Sequence, residues 1–557
     1  MKRPIIPGVW YLYVLIGGFP AAARDFPMEE ISNRIRSRIE IAGSALTAGD
    51  QRIHATIVLP LFYQKRAYRP AWVTDTGRGS AIAALVIALE GATDHGLRPE
   101  DYHHGTLVTL LAEVNQKQRG KLPPPAGLLC DLDLLASDAF LIYASHLLAG
   151  RVDPEKIDAE WVANRREMDL AALLQTSLET GAITAGLESL LPRHPGYGRM
   201  RSALKRYRAI AERGGWPTVP AARTLRKGDR DEAVGALRER IRAFDALEDT
   251  GDEPILFDAA LEKKLIHFQK RFGLEPDGVA GPKTLAMMNI TAEQRVRQII
   301  LNMERWRWLP QSLGERYLIA NIAAFELQVV EGEQTVMSMA VIAGRNYRRT
   351  PVFSGRMTYL VLNPYWHVPP SLAVEDKLPL IRKNPGYLAQ QHMKLFLGWG
   401  AEEREIDPAG VNWARISAKN FPYRIRQEPG PLNALGRIKF MFPNRFNVYL
   451  HDTPTPELFA KAERAFSSGC VRISRPLELA TYLLRNKPEW SREQIIAAIQ
   501  QNKERTVNLP EPYNVHFLYW TAWTDEDDTV HFRPDIYDRD KPLADALLEK
   551  PPGIDAP

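Results

Sequence analysis

Cys470 and His451 are the two residues whose types and surroundings could do chemistry together. Cys470 sits in the stretch Ser467-Ser468-Gly469-Cys470-Val471-Arg472, downstream of His451-Asp452-Thr453. A thiol is a weak nucleophile at its free pKa of about 8.5, and a neighbouring imidazole activates it. Glycine before the cysteine permits a tight turn and leaves the Gly469 and Cys470 backbone N–H groups available to an oxyanion. The alternation Arg445-Phe446-Asn447-Val448-Tyr449-Leu450 predicts a strand that delivers His451 at its end. Val471 and Ile473, then Pro476 and the apolar positions Leu477, Ala480, Leu483 and Leu484, predict a helix after the cysteine. Nucleophile between strand and helix, with a histidine from the next strand, points to cysteine acyl transfer.

The other cysteine, Cys130, lies in Leu128-Leu129-Cys130-Asp131-Leu132 and is expected to be a buried structural thiol. Pairing it with Cys470 would disable the nucleophile. Two cysteines cannot make a zinc cluster and no His-Glu-x-x-His run occurs, so neither metal nor cofactor is expected. His103-His104 reads as a polar loop pair, and Asp131, Asp133 and Asp138 as solvated helix faces. His367, although beside a site-like segment, reads as a structural imidazole.

The histidine, the Ser-Ser-Gly-Cys-Val-Arg box and the flanking strand together resemble the L,D-transpeptidase family, with a YkuD-like catalytic domain. The likeness is to its large Gram-negative YcbB-like type, which also carries a peptidoglycan-binding module. Ser468 stands where much of that superfamily has a second histidine, which leaves His451 as the motif's histidine. The resemblance implies a two-step acyl transfer with Cys470 as nucleophile, His451 as general base and acid, and the Gly469 N–H in the oxyanion site. It implies peptidoglycan tetrapeptide stems as donor and acceptor, release of D-alanine through a thioester and a 3-3 cross-link. Other wall-synthesis enzymes are expected as further partners.

Arg472, Tyr449, Ser468 and Trp366 are the candidate substrate-binding residues. Arg472 is suited either to a substrate carboxylate or to a structural salt bridge. Tyr449, on the same strand face as His451, either orients the imidazole, lines the groove or packs. Asp452 points to the opposite face, so a backbone carbonyl is the alternative orienter of the histidine. A hydrolase acting on the same thioester and a noncatalytic wall-binding scaffold are the competing readings.

Positioning these residues takes several domains. At 557 residues the chain is too long for one ordinary domain, and its 45% hydrophobic and 25% charged content is that of a soluble, core-forming protein. A net charge of +5, from 72 basic and 67 acidic residues interleaved, is too balanced to argue for nucleic acid. Met1-Lys2-Arg3, the apolar run Ile5 to Phe19 and Pro20-Ala21-Ala22-Ala23 read as an export signal over residues 1–23, cleaved or retained as an anchor, and place the protein in the periplasm.

The expected fold is multidomain α+β. A helical scaffold over 24–220 precedes a small three-helix module over 221–290. Phe268, Gln269, Gly273, Leu274, Asp277, Gly278, Gly281, Thr284 and Leu285 resemble the signature of peptidoglycan-binding modules, although each residue alone is adequately explained as cap or core. A connecting helix over 291–315 opens on the capping box Thr291-Ala292-Glu293-Gln294. A mainly-β catalytic domain spans 316–510, interrupted at 371–433 by a lid with helices at Leu378–Asn384 and Tyr387–Lys394. A C-terminal strand, Val515–Trp523, and tail over 511–557 complete the catalytic unit.

Overall fold

The computed structural model describes residues 27–549 apart from 43–44, 75–79, 121, 163–164, 221–222, 246–252 and 399. The expected export signal lies outside the described residues. No described helix is long and apolar enough to cross a membrane.

The helical region is built on the 24-residue helix Ala126–Ala149, nearly all of which is buried. Its carboxylates are not the solvated faces expected from sequence. Asp133 is fully buried and accepts hydrogen bonds from the backbone N–H groups of Ala71 (2.9 Å), Trp72 (2.7 Å) and Val73 (2.9 Å) and from the Tyr63 hydroxyl (2.6 Å). Asp138 likewise takes the Ala55 N–H at 2.7 Å and meets His103 Nε2 at 2.8 Å. His103 is therefore a buried anchor rather than half of a polar loop pair, and Asp131 meets Arg38 and the Gly49 N–H. Buried carboxylates hold irregular segments because each supplies several acceptor sites to backbone donors that sheet and helix leave unpaired. Cys130 is buried in the same core, where desolvation pushes its thiol up to about 12.

In the module, Glu232–Asp245, Ala259–Arg271 and Pro282–Met288 form the three helices. Gly273 takes the left-handed conformation (φ 66°) that ends the second. The buried Gln269 amide accepts from the Gly278 N–H (2.9 Å) and donates to Asp277 Oδ1 (2.8 Å), which accounts for several signature residues as fold determinants.

The connecting helix, Ala292–Arg307, starts on the expected capping box and is much more than a tether. Arg307 and Glu304 pair at zero exposure, and Glu304 also accepts the Val152 N–H at 2.8 Å. Gln298 donates to the Thr521 carbonyl and Arg295 to the Met287 carbonyl. The helix thereby joins the helical region, the module and the C-terminal segment.

The part after the connecting helix is built on a nine-stranded sheet. Its strands are β1 (Arg316–Asn321), β2 (Glu326–Glu331), β3 (Gln334–Gly344) and β4 (Phe353–Leu362), then, beyond the insert, β9 (Ile438–Met441), β10 (Leu450–His451), β11 (Ala465–Ser467), β12 (Val471–Ile473) and β13 (Arg505–Leu518). The order is β11-β3-β12-β10-β9-β4-β13-β1-β2, and β2 also pairs with β3, so the sheet closes on itself. β13 begins at Arg505 and ends at Leu518, not at Val515 and Trp523 as expected, so a boundary at residue 511 would cut through it. Pro510 and Pro512 obscure the strand in sequence. They fit because the ladder to β4 is interrupted between Asn508 and Tyr513. A separate hairpin, Ala522–Thr524 with Val530–Phe532, follows.

The insert has its own four-stranded sheet, β5 (Trp366–His367), β6 (Met393–Leu397), β7 (Arg404–Ile406) and β8 (Tyr423–Gln427), in the order β5-β8-β6-β7. Its first strand lies before residue 371. The second expected helix stops at Gln390, because His392 adopts a left-handed conformation (φ 51°) and the chain turns into β6. The expected strand leading to His451 is also shorter. Asn444 Oδ1 caps a turn by accepting the Phe446 N–H (3.0 Å) and Val448 N–H (3.2 Å), leaving only Leu450–His451 in the sheet.

Candidate active site

Strand alternation decides which side chains meet. Phe440, Leu450 and Val471 are register neighbours across β9, β10 and β12, all buried in the apolar core. The opposite face must then carry Lys439, His451 and Arg472, which are paired in the same way: Lys439 opposite His451 and His451 opposite Arg472. An imidazole stands between two cations. Lys439 was not among the residues expected at the site. The alternation Ile438-Lys439-Phe440 was its signal, but its partner strand could not be read from sequence.

Cys470 immediately precedes β12, in a turn that presents its half-buried thiol. Gly469 takes φ +113°, which an L-residue adopts only with strain, and its carbonyl accepts from Thr350 Oγ1 at 2.9 Å. Ser467 locks the turn from inside, donating its hydroxyl to the Cys470 carbonyl and accepting the Gly469 N–H at 3.2 Å. The Gly469 N–H is thus engaged, contrary to its expected oxyanion role. The Cys470 N–H has no hydrogen-bond partner among the described residues and is the donor left in this turn.

His451 is 4% exposed, and its Nδ1 lies 2.6 Å from the Asp452 carbonyl oxygen. That contact makes Nδ1 the protonated nitrogen and leaves Nε2 as the basic one. Asp452 itself is occupied elsewhere, accepting the Arg437 and Thr453 backbone N–H groups at 2.7 Å each. Burial, and then the Arg472 charge, push the imidazole down to about 3, so it is neutral at ordinary pH. Burial pushes the Cys470 thiol up, while the Tyr449 backbone and hydroxyl and the charges of Lys439 and Arg472 pull it down. No hydrogen bond joins Cys470 to His451 among the described residues; the sulfur lies 3.8 Å from the Asn447 carbonyl and also meets the Tyr449 backbone and hydroxyl. The resting pair is thiol and neutral imidazole.

A family model for the L,D-transpeptidase catalytic domain matches residues 315–491, which contain both residues. The chain carries an L,D-transpeptidase catalytic domain. Residues 230–288 match a model described as "Putative peptidoglycan binding domain", and residues 58–204 one described as a scaffold domain. A Haemophilus influenzae protein described as "Putative L,D-transpeptidase" is 33% identical over 247 residues, covering 44% of this chain and 49% of that protein. The chain therefore spans about half the length of the curated relative it matches. A solved L,D-transpeptidase (residues 123–326) from Xylanimonas cellulosilytica is 14% identical, covering 54% of this chain and 99% of that one, with a TM-score of 0.17. A solved fused Zn-dependent amidase/peptidase/peptidoglycan-binding protein from Clostridium acetobutylicum is 10% identical, covering 53% and 99%, with a TM-score of 0.15. At those scores neither bears on the fold or the function here.

Within the L,D-transpeptidase domain the other expected site residues divide. Tyr449 stands beside the pair, its ring edge-on to His451 at 5.7 Å and beneath the Lys439 ammonium at 3.9 Å. Arg472 keeps its Nε buried without a partner and has no salt bridge among the described residues, so the structural-pair alternative finds no carboxylate. Ser468 is exposed and accepts from Arg348 at 3.2 Å. Trp366 is not a substrate surface: it is 8% exposed in the apolar core of the insert, with Lys377 over its ring. His367 is exposed on β5, opposite Arg426. Ser467 and Arg348 were missed, because serine in a turn and arginine in a loop carry no spacing signal.

Proposed function

We propose that the protein is a periplasmic L,D-transpeptidase that joins peptidoglycan stems through 3-3 cross-links, with Cys470 as nucleophile and His451 as base. The observation that carries this reading is a half-buried thiol in a glycine turn, immediately before the strand that pairs with the one carrying a neutral histidine held by a backbone carbonyl.

In the first step His451 takes the Cys470 proton as sulfur attacks the carbonyl between diaminopimelate and the terminal D-alanine. The Cys470 N–H is positioned to donate to the oxyanion, an interaction worth about 3 kcal/mol in other acyl-transfer sites. The C–N bond breaks, the imidazolium returns its proton to the leaving D-alanine amine, and a thioester remains. The side-chain amine of a second stem attacks that thioester, its proton passes to His451, and the thiol is regenerated as the new amide forms. Arg472, unpaired and beside the nucleophile, is suited to a stem carboxylate. Residues 221–290 would hold the wall, and the insert would act as a lid.

Mass spectrometry of purified protein with disaccharide-tetrapeptide tests this, comparing wild type with Cys470→Ala. A cross-linked dimer with loss of D-alanine, absent from the variant, is the expected result. Tripeptide alone would make the enzyme a carboxypeptidase. No product from either protein would overturn the catalytic reading.

A further inference from the structure

The geometry points to Lys439 as an electrostatic positioning residue whose ammonium, in one row with His451 and Arg472, supplies the positive charge that the Cys470 thiolate needs.

The inference deepens the proposed function and rests on Cys470 being its nucleophile. A thiolate formed in a half-buried site requires a compensating cation. In many cysteine enzymes that cation is the imidazolium itself. Here His451 is buried, held by the Asp452 carbonyl and flanked by two fixed positive charges, an arrangement that disfavours a standing imidazolium before substrate binds, though not its transient formation in acyl transfer. In the free site the charge that compensates a thiolate therefore comes from the flanks.

Lys439 is built for that place. Its position in the middle of β9 is fixed by pairing on both sides, with Val361 of β4 and His451 of β10. The neighbouring Ile438 and Phe440 are buried on the other face, so the lysine has no alternative side to occupy. Its ammonium sits 3.9 Å from the Tyr449 ring centre, a cation–π contact that holds it over the residue bordering Cys470. It forms no salt bridge among the described residues. A half-buried lysine without a carboxylate mate leaves its field directed at the site rather than neutralised.

The charged and titratable groups facing the cluster are few. Glu504, which accepts the Tyr365 N–H at 2.9 Å, acts on Lys439 together with Cys470. Arg472 feels Arg345 and Cys470. Cys470 itself faces Tyr449, Lys439 and Arg472. Arg437, on the strand side of Asp452, faces that carboxylate rather than the thiol. Of the two cations acting on the sulfur, Arg472 is available to a substrate carboxylate, which leaves Lys439 to act on the thiolate throughout turnover.

The test is iodoacetamide alkylation of Cys470 in the full chain, in a Cys130→Ala background, across pH 6 to 10 on the alkaline side of the ordinary range. Wild type is compared with Lys439→Met and Lys439→Arg, each checked for a native melting transition. Lys439→Met is expected to slow alkylation at pH 8 about tenfold, the effect of a rise of about one unit in thiol pKa when a nearby cation is lost. Lys439→Arg should restore most of the rate. An unchanged rate in Lys439→Met, or an arginine variant as slow as the methionine one, would overturn the inference. If the variant with methionine over Tyr449 does not fold, Lys439→Gln gives the same comparison with a polar side chain. Alkylation needs no wall substrate, so a missing cross-linked product would sink the proposed function without touching this result, and the reverse holds equally.

Discussion

Arg348 and Asp376 form a two-pronged ion pair, Nη1 to Oδ2 at 2.6 Å and Nη2 to Oδ1 at 2.7 Å, between the loop after β3 and the insert. The same guanidinium reaches Glu375 at 2.7 Å and donates to Ser468 Oγ at 3.2 Å, two residues before Cys470. Asp376 lies in a single π-helical turn, Ala373–Lys377, a distortion that helices often keep where a side chain must be aimed. One arginine thus latches the insert to the rim of the Ser-Ser-Gly-Cys turn.

Arg348→Ala should loosen that latch without unfolding the domain. Arg348 is mostly covered but its carboxylate partners are partly exposed, which keeps the effect modest. Amide hydrogen exchange over residues 370–383 should rise several-fold in the variant, while strands β4 and β9 stay as protected as in wild type. Equal exchange in both proteins would remove the latch from the account.

The protonation states give a second expectation. His451 is pushed down to about 3 in the folded protein, from about 6.5 when unfolded. Between those values the unfolded chain binds the additional proton. The histidine's stability term is therefore complete above about pH 6.5 and is lost progressively as pH falls toward 3. His95, pushed down to about 3, and His194, to about 4, act with the same sign for the same reason, burial. Thermal denaturation should show Tm falling from pH 7 to pH 4, and less steeply in His451→Gln if the fold is retained. Wild-type alkylation should also lack the acidic plateau of a preformed thiolate–imidazolium pair.

Much of this was legible in the chain. Cys470, His451 and the glycine turn stand out in the sequence because a thiol, an imidazole and a turn residue at such a spacing are particular types at a particular place, and the structure brings the three to neighbouring strands and their turn. The module's Gln269 and Gly273 did so too, being tied to one conformation. What was illegible depended on register and burial. Lys439 gains its meaning only from standing opposite His451, a pairing set by the closed sheet. Asp133 and Asp138 looked like surface charges until segments distant in sequence brought their backbone donors to them. Gly469 was read as an oxyanion donor because sequence does not show a hydroxyl two residues away capturing its N–H.

Asp133→Ala offers a test of the helical region on its own terms. The substitution would leave three backbone N–H groups and the Tyr63 hydroxyl without their shared acceptor in a fully buried place. Loss of a buried, multiply bonded carboxylate is expected to destabilise by about 3 kcal/mol or more. Denaturant unfolding of the full chain measures it, and a loss below about 1 kcal/mol, the scale of one ordinary hydrogen bond, would contradict the account.

Gly436 and Asp452 supply the sharpest geometric prediction. Gly436 takes φ +63°, and a Cβ built there would lie 2.4 Å from Asp452 Cγ, far inside contact distance. Asp452 cannot yield easily, since its carboxylate holds the Arg437 and Thr453 backbone N–H groups. Its carbonyl also meets the His451 ring at 2.6 Å, so a displaced Asp452 moves the imidazole. Gly436→Ala should therefore reduce D-alanine release far more than it reduces Tm, because the collision is passed to the imidazole rather than to the apolar core. Strain at one left-handed position is about 1–2 kcal/mol, whereas misplacing a catalytic group by about 1 Å lowers rate about 100-fold. Asp452→Ala in the same background removes the carboxylate and its two hydrogen bonds but keeps the Asp452 Cβ, 2.5 Å from the added methyl, and should not restore activity. Full activity in Gly436→Ala would mean that the Asp452 carbonyl does not set the orientation of His451.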